Sequence, residues 1–144
     1  MVYLFTVYYP FALALVFVAS FFLVNIPAKG AFFMRALLAL VIVTFLAHVN
    51  RIFHIYPAPL YFPSGHTTFC LGVAVSLGML RPWTLAITLP LVVLLGVSMV
   101  TLRLHTVWDI LGAVPLVLIV YGIVQRSWRV SPASPLLDRT PVSP

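Results

Sequence analysis

Two short stretches of the sequence contain residue types that can bind and transfer an anionic group. In FPSGHTTF, Ser64 precedes an apolar run whose free backbone N–H groups it can cap, and Gly65 would let a ligand approach the main chain. The amino terminus of a helix favours anions because its N–H groups are free and the helix dipole is positive there. The first stretch therefore predicts a site for an oxyanion such as phosphate.

The second stretch, RLHTVWDILG, pairs a base with a carboxylate. His105 and Asp109 are four residues apart, so on a helix they would share one face. A carboxylate that holds one imidazole nitrogen leaves the other free to attack, as in a catalytic triad. We expect His105 to act as the nucleophile and His66 as the acid that protonates the leaving oxygen. The alternatives are a buried polar pair that joins helices and, for Ser64 with His66, a plain helix cap followed by an interfacial histidine.

The elements that must position these residues are membrane-spanning helices. Hydrophobic residues make up 63% of the chain, charged residues only 7%, and the mean hydropathy is +1.17, all outside the range of soluble domains. The sequence predicts an all-α polytopic membrane bundle of about five helices. The predicted spans are Val2–Val24, Ala31–Val49, Thr67–Leu80, Trp83–Val100 and Thr106–Val124. The third is short, which suits a helix that starts in a protein-lined cavity.

The rest of the chain indicates one domain and a tail. Residues 1–130 are expected to form the membrane-embedded domain, and the first span, which lacks a basic segment and a cleavage site, is expected to be retained. From Ser131 onward, seven of fourteen residues are Ser or Pro, which predicts a disordered tail over 131–144. The one cysteine excludes an intramolecular disulfide.

Charge placement predicts the orientation. With five spans, six of the eight basic residues fall on the face that receives the carboxyl tail, which the positive-inside rule makes cytoplasmic. The opposite face receives Arg51, Arg103 and the four histidines. Ionisable groups at membrane depth are costly, so this cluster is a functional hypothesis. Arg51, Arg103 and His54 are predicted to bind phosphate, although the arginines could instead reach the surface with their side chains. His48 is interpreted as an interfacial or packing residue.

The same residues narrow the partners and cofactors. The net charge of +6 reflects topology and a weak attraction to anionic headgroups, and gives no indication of nucleic acid. Four histidines raise the possibility of a metal, but the sequence lacks a second carboxylate in the domain and the ligand repeats of zinc sites. We therefore expect no metal and no other cofactor.

These motifs together resemble the type-2 phosphatidic acid phosphatase superfamily, which includes membrane lipid phosphatases and vanadium haloperoxidases. The resemblance covers roughly residues 31–124 and rests on PSGH, then, thirty to forty residues later, a serine, a basic residue, a histidine and an aspartate. It implies that His105 becomes a phosphohistidine, that Asp109 supports it and that His66 is the general acid. It also implies that Ser64 and Gly65 bind phosphate and that the site faces away from the cytoplasm, in a bacterial or archaeal plasma membrane.

The chain departs from that family's pattern at three positions. Met99 stands where the family usually has an arginine, and Arg103 lies one helical turn later. Val49 and Tyr56 stand at basic positions of the family's first motif, for which Arg51 and His54 are the available substitutes.

The resemblance implies a metal-independent lipid phosphatase. Its substrate, held in the bilayer by its tails, would be phosphatidic acid, phosphatidylglycerol phosphate or a polyprenyl diphosphate, and the sequence does not rank them. Two alternatives stay open: a lipid phosphotransferase with the same site, and a degenerate relative that binds lipid without catalysis. A haloperoxidase is disfavoured because those relatives are soluble and this chain is strongly apolar.

Overall fold

The described part of the chain folds into helices, as the composition predicts. The computed structural model describes residues 2–26, 28–53 and 62–127, and within these ranges there is no β-strand. The helices are α1 (Val2–Leu23), α2 (Lys29–Phe53), α3 (Gly65–Leu80), α4 (Thr84–Thr101), α5 (Val107–Leu111) and α6 (Ala113–Ser127). The all-α bundle is confirmed, whereas the predicted tail at 131–144 lies outside the described residues.

The fifth predicted span is confirmed as one apolar helical segment, Val107–Arg126, with a single non-helical residue, Gly112, between α5 and α6. α5 ends at Leu111, Gly112 forms a turn, and α6 begins at Ala113. A Cβ atom on Gly112 would overlap the Phe62 ring, so the absence of a side chain lets that ring pack against the turn. An apolar pattern continues through the turn, which is why it predicts a single helix.

Four segments are long and apolar enough to cross a membrane. They are Tyr3–Leu23, Lys29–Val49, Thr84–Thr101 and Val107–Arg126. α3 is shorter, with 16 residues, and ten of them are buried. It contacts α1, α2, α4 and α6 and so occupies the interior of the bundle. The prediction that the third helix is short is confirmed, and its enclosure by the other helices explains how so short a helix is accommodated.

Small residues and one polar cluster bring the helices together around α3. Gly72 allows Leu40 of α2 to approach α3, since a Cβ there would lie 2.9 Å from the leucine side chain. The Tyr121 hydroxyl of α6 donates a hydrogen bond to the Gly72 carbonyl at 2.8 Å and lies 2.7 Å from Ser76 Oγ. Close packing and interhelical hydrogen bonds are the main attractions between helices where water is excluded.

The helices alternate in direction, so their ends sort into two groups. The amino ends of α1, α3 and α5 and the carboxyl ends of α2 and α4 meet around one cavity. At the opposite end lie Lys29 at the start of α2, Arg81 after α3 and Arg126 near the end of α6. The histidine-containing end of the bundle is therefore separated by the length of the helices from an end that carries basic residues.

Candidate functional site

The cavity at the first end has a volume of about 390 Å³ and is bordered by three histidines. Five chain segments contribute to it, so no single helix forms the site. The lining residues are Tyr3, Thr6, Val7, Ala47, His48, Pro63, Gly65, His66, Met99, Leu104 and His105. We call this space the histidine cavity.

α3 begins at the histidine cavity with the predicted serine cap. Ser64 Oγ accepts hydrogen bonds from the Thr67 N–H at 3.4 Å and from Thr67 Oγ1 at 3.1 Å, which confirms the capping role. The Ser64 side chain is 0% exposed and does not line the cavity. The phosphate contact predicted for this hydroxyl would therefore require it to leave the cap, whereas Gly65 and His66 border the cavity directly.

Met99 fills the position next to this cap. Ser64 Oγ donates a weak hydrogen bond to Met99 Sδ at 3.7 Å, and the methionine is 2% exposed. A neutral thioether thus lies beside the cap. The start of α3 receives no positive charge from this position.

The second stretch adopts a different local structure from the one predicted. Thr106 is the N-cap of α5, so His105 precedes the helix and does not share a helical face with Asp109. Thr106 and Asp109 form a capping box: the Thr106 N–H donates to Asp109 Oδ2 at 2.8 Å, and the Asp109 N–H donates to Thr106 Oγ1 at 3.2 Å. The chain bends at the cap, and this bend still brings His105 Nδ1 to 3.6 Å from Asp109 Oδ2.

The Asp109 carboxylate is buried and only partly satisfied. Its side chain is 0% exposed, and Oδ1 has no hydrogen-bond partner among the described residues. A buried carboxylate with an open acceptor is costly unless a positive group is close. The His105 ring is the nearby group that can become positive, and 3.6 Å is an ion-pair distance that a small ring movement would shorten to a hydrogen bond.

A backbone hydrogen bond joins the two stretches directly. The Ser64 N–H donates to the Asp109 carbonyl at 2.8 Å. The start of α3 and the carboxylate that supports His105 are therefore adjacent at the same end of the bundle. The structure thus brings together His66, Gly65, His105 and Asp109, the residues for which the sequence predicts acid, phosphate-binding, nucleophile and orienting roles.

The imidazoles of His66 and His105 both have pKa values below the ordinary value of a histidine. The pKa of His105 is lowered by burial, the nearby Asp109 carboxylate opposes this in part, and the positive charge of His66 adds to the lowering. Partial removal from water lowers the pKa of His66, and the positive charge of His48 lowers it further. Near neutral pH, His105 is therefore in the uncharged form that a nucleophile requires.

Sequence reasoning missed His48 as a member of the site. Its ring lies against Gly65, where a Cβ would be 2.7 Å from His48 Cε1, and its Nδ1 lies 2.7 Å from the Thr44 carbonyl. Gly65 therefore admits an imidazole, whereas the sequence suggested that it admits a ligand. The available signal was the position of His48 at the end of an apolar span, on the same face as the other histidines.

Of the three predicted basic ligands, Arg103 is the one whose side chain the structure describes, and it lies away from the cavity. Arg103 is exposed in the turn after α4, with φ of 56°, and it does not line the cavity. α4 ends at Thr101, so the argument that Arg103 continues the helical face of Met99 is wrong. The side chain of Arg51 and all of His54 lie outside the described residues. Among the residues that the structure describes, no lysine or arginine lines the histidine cavity.

A second, apolar cavity adjoins the first. It has a volume of about 570 Å³, lies between α1 and α2, and shares His48 with the histidine cavity. Its lining comprises Ala14, Phe17, Val18, Leu37, Leu40, Val41, Thr44, Phe45, His48 and Phe69. We call it the α1–α2 groove. The histidine cavity and the α1–α2 groove thus meet at His48.

Within the described ranges, no group of three His, Cys, Asp or Glu residues is arranged to hold a metal ion. Comparison of the chain with protein-family models, with curated proteins and with solved structures gives no match. The geometry of the histidine cavity is therefore the basis for assigning a function to the chain.

Proposed function

We propose that this chain is an integral-membrane lipid phosphatase that works through a phosphohistidine and without a metal ion. The observation that carries the proposal is the arrangement at one cavity of His105, its buried partner Asp109 and a second histidine, His66. A nucleophile, a group that orients it and an acid at one concave site are the elements of covalent group transfer.

In the first step His105 attacks the phosphorus atom. Its Nδ1 faces Asp109, so Nε2 forms the bond to phosphorus while the bond from phosphorus to the lipid oxygen breaks. His66 acts in its protonated form, which is the minor form near neutral pH because its pKa is lowered, and it gives this proton to that oxygen. The lipid alcohol then leaves, or, from a diphosphate, the lipid monophosphate. The Asp109 carboxylate stabilises the positive charge that develops on the His105 ring.

In the second step water takes the phosphoryl group from His105. His66, now neutral, accepts a proton from the attacking water, and the bond from Nε2 to phosphorus breaks. Inorganic phosphate is released, and both histidines return to their starting states. His66 thus serves as acid and then as base, which requires that its proton exchange readily. Its exposed position at the cavity allows this exchange.

An amphiphilic substrate is favoured by the surroundings of the cavity. The α1–α2 groove is almost entirely apolar and meets the histidine cavity at His48. A phosphate at the histidines could therefore be attached to a chain that lies among apolar side chains. The membrane-length helices support the same substrate class, since they would hold the cavity beside a bilayer. The excess of basic residues at the opposite end favours a non-cytoplasmic position for the site.

A binding role without catalysis is the second candidate. It is favoured by the neutral Met99 beside the α3 cap and by the lack of lysine or arginine among the described lining residues. Phosphoryl transfer gains most of its stabilisation from positive groups around the phosphate oxygens. A phosphotransferase would use the same residues, with a lipid or sugar hydroxyl in place of water.

The test is turnover by purified protein in detergent with EDTA. A panel of phosphatidic acid, phosphatidylglycerol phosphate and polyprenyl diphosphate is incubated with the wild type and with His105→Ala, and free phosphate and transferred headgroup are measured separately. Thr101→Ala is the matched control, since this exposed residue of α4 lies outside the histidine cavity. We expect phosphate release that His105→Ala abolishes and Thr101→Ala retains. Lipid binding without turnover by the wild type would favour the second candidate.

A further inference from the structure

Among the described residues, only imidazoles can give the histidine cavity positive charge with which to hold a phosphate. Its described lining offers three histidines and no lysine or arginine. A phosphate carries up to two negative charges, and transferring such an anion from water is unfavourable without charged or hydrogen-bonding partners. Whether each histidine can donate a hydrogen bond to the anion therefore decides how the cavity binds it.

The hydrogen-bonding state of His48 is fixed by its neighbour on α2. His48 Nδ1 lies 2.7 Å from the carbonyl oxygen of Thr44. A carbonyl oxygen only accepts hydrogen bonds, so Nδ1 must carry the proton and donate it. In the neutral ring Nε2 then has a lone pair and no hydrogen. His48 can donate to a second acceptor only when Nε2 is also protonated.

The ring is placed at the start of α3. A Cβ on Gly65 would lie 3.1 Å from His48 Nε2, so this nitrogen is next to the first residue of the helix. The start of a helix is where an anion is stabilised by free N–H groups. A phosphate seated between His66 and His105 would thus have His48 Nε2 as a further neighbour, because all three histidines border the same cavity.

We propose that His48 is a phosphate-binding residue that donates to an ionised phosphate oxygen through Nε2 and therefore binds it as an imidazolium, with uptake of a proton wherever the free ring is neutral. The proposal rests on the proposed function to the extent that the cavity receives a phosphate group. It assigns to His48 the positive charge that the described lining otherwise lacks. The neutral ring would place a lone pair against the ionised phosphate oxygens and repel them.

Other titratable groups surround His48 and set the background for this proton. Tyr3 of α1 and His66 of α3 line the same cavity, as does His105, whose partner Asp109 is buried behind it. A positive charge on His48 disfavours protonation of His66, and an anion between the two rings would remove that conflict. Arg51 follows His48 on α2, and its side chain lies outside the described part of the structure.

Equilibrium dialysis of radiolabelled inorganic phosphate against the full chain in detergent, at several pH values from 5.5 to 8.5, tests the proposal. The variants are His48→Gln, whose amide can donate at every pH, and Arg51→Gln as the control. Free phosphate titrates identically in each experiment. The ratio of wild-type to variant affinity therefore cancels this titration and leaves the pH dependence that comes from the protein. We expect the ratio for His48→Gln to fall about tenfold per pH unit above the imidazole range, as one linked proton requires. The ratio for Arg51→Gln should be constant with pH.

Three results would overturn the inference: no phosphate binding by the wild type at any pH, an affinity ratio for His48→Gln that does not change with pH, or a pH-dependent ratio for Arg51→Gln alone. NMR of ring-labelled histidine gives an independent measurement on the wild type. Added phosphate should shift the resonances of the imidazoles at the cavity, and one of the shifting resonances should be missing in His48→Gln. Lipid hydrolysis measured on the same preparations separates the two proposals, since phosphate can bind with proton uptake whether or not turnover occurs.

Discussion

The two helices that begin at the histidine cavity use the same capping chemistry for different purposes. At α3, the Ser64 cap is buried, and the residues that follow it, Gly65 and His66, border the cavity. At α5, Thr106 and its partner Asp109 close a capping box, and the captured side chain is a carboxylate beside His105. The Ser64 cap leaves the start of α3 at the cavity, whereas the Thr106 cap positions the Asp109 carboxylate beside His105. A hydroxyl at an N-cap therefore indicates where a helix begins but does not indicate which function the first turn serves.

The largest effect is expected from Asp109→Asn, which separates the capping and electrostatic roles at α5. An asparagine oxygen can still accept from the Thr106 N–H, but the amide cannot stabilise an imidazolium at His105. By analogy with a triad aspartate, we expect turnover to fall by about 10³–10⁴-fold. Steady-state rates of lipid hydrolysis and the thermal midpoint in detergent are the measurements. An active Asp109→Asn protein would contradict the orienting role, whereas an unfolded one would assign Asp109 a mainly structural role.

Removal of the two capping hydroxyls should distinguish the two helix starts. Ser64→Ala and Thr106→Ala should each lower the free energy of unfolding by about 1 kcal/mol, as losses of an N-cap usually do. Thr106→Ala should also release Asp109 and cost about 10²-fold in turnover, since misplaced catalytic groups lose rate steeply. Ser64→Ala should cost less, because its hydroxyl stays within the cap. Thermal unfolding and hydrolysis rates test the pair, and equal losses of turnover would show that the caps do not differ.

Gly65→Ala tests whether the His48 ring lies at the start of α3. The new Cβ would lie 2.7 Å from His48 Cε1, so the ring must move away from the helix start. Loss of one charged hydrogen bond predicts about tenfold weaker phosphate binding at pH 6. Gly122→Ala on α6 is the matched control, since a Cβ there meets nothing within 4 Å and the residue is exposed. Dialysis with inorganic phosphate measures both variants, and equal affinities would contradict the placement of His48.

The smallest expected effect is the pH dependence of stability. The pKa values of His66 and His105 are lowered in the folded chain, so the unfolded chain binds protons first as the pH falls. Stability should therefore be highest above the ordinary histidine pKa of about 6.5, and it should decrease as the pH falls from there toward the folded-state pKa values. Thermal midpoints between pH 5 and 8 test this. His66→Gln should flatten the dependence, and a steeper one would contradict the assigned sign.

Sequence patterns predicted the features that depend on local order. Apolar length predicted the helical segments, and a serine before an apolar run predicted the α3 cap, because both follow from residues close in the chain. Spacing also suggested the proximity of His105 to Asp109, although the structure achieves it through a capping box and not a helical face. Four-residue spacing is compatible with both geometries, so it could not distinguish them.

The features that escaped prediction depend on tertiary contacts. His48 enters the site because α2 ends beside the start of α3, and nothing in the order of residues along α2 specifies that neighbour. The Phe62 ring packs against Gly112, fifty positions later in the chain. Arg103 was predicted to point at the site from a continued helix, but α4 ends before it. The spacing of apolar residues indicates which face of a helix is buried. It does not indicate which residues of another helix pack against that face.

The hydrogen bond from the Ser64 N–H to the Asp109 carbonyl ties the start of α3 to α5. Any tilt of α5 that displaces the carboxylate also pulls on the residue from which α3 starts. The start of α3 and the Asp109 carboxylate beside His105 should therefore fold and unfold together, with no long-lived intermediate in which only one of them is formed.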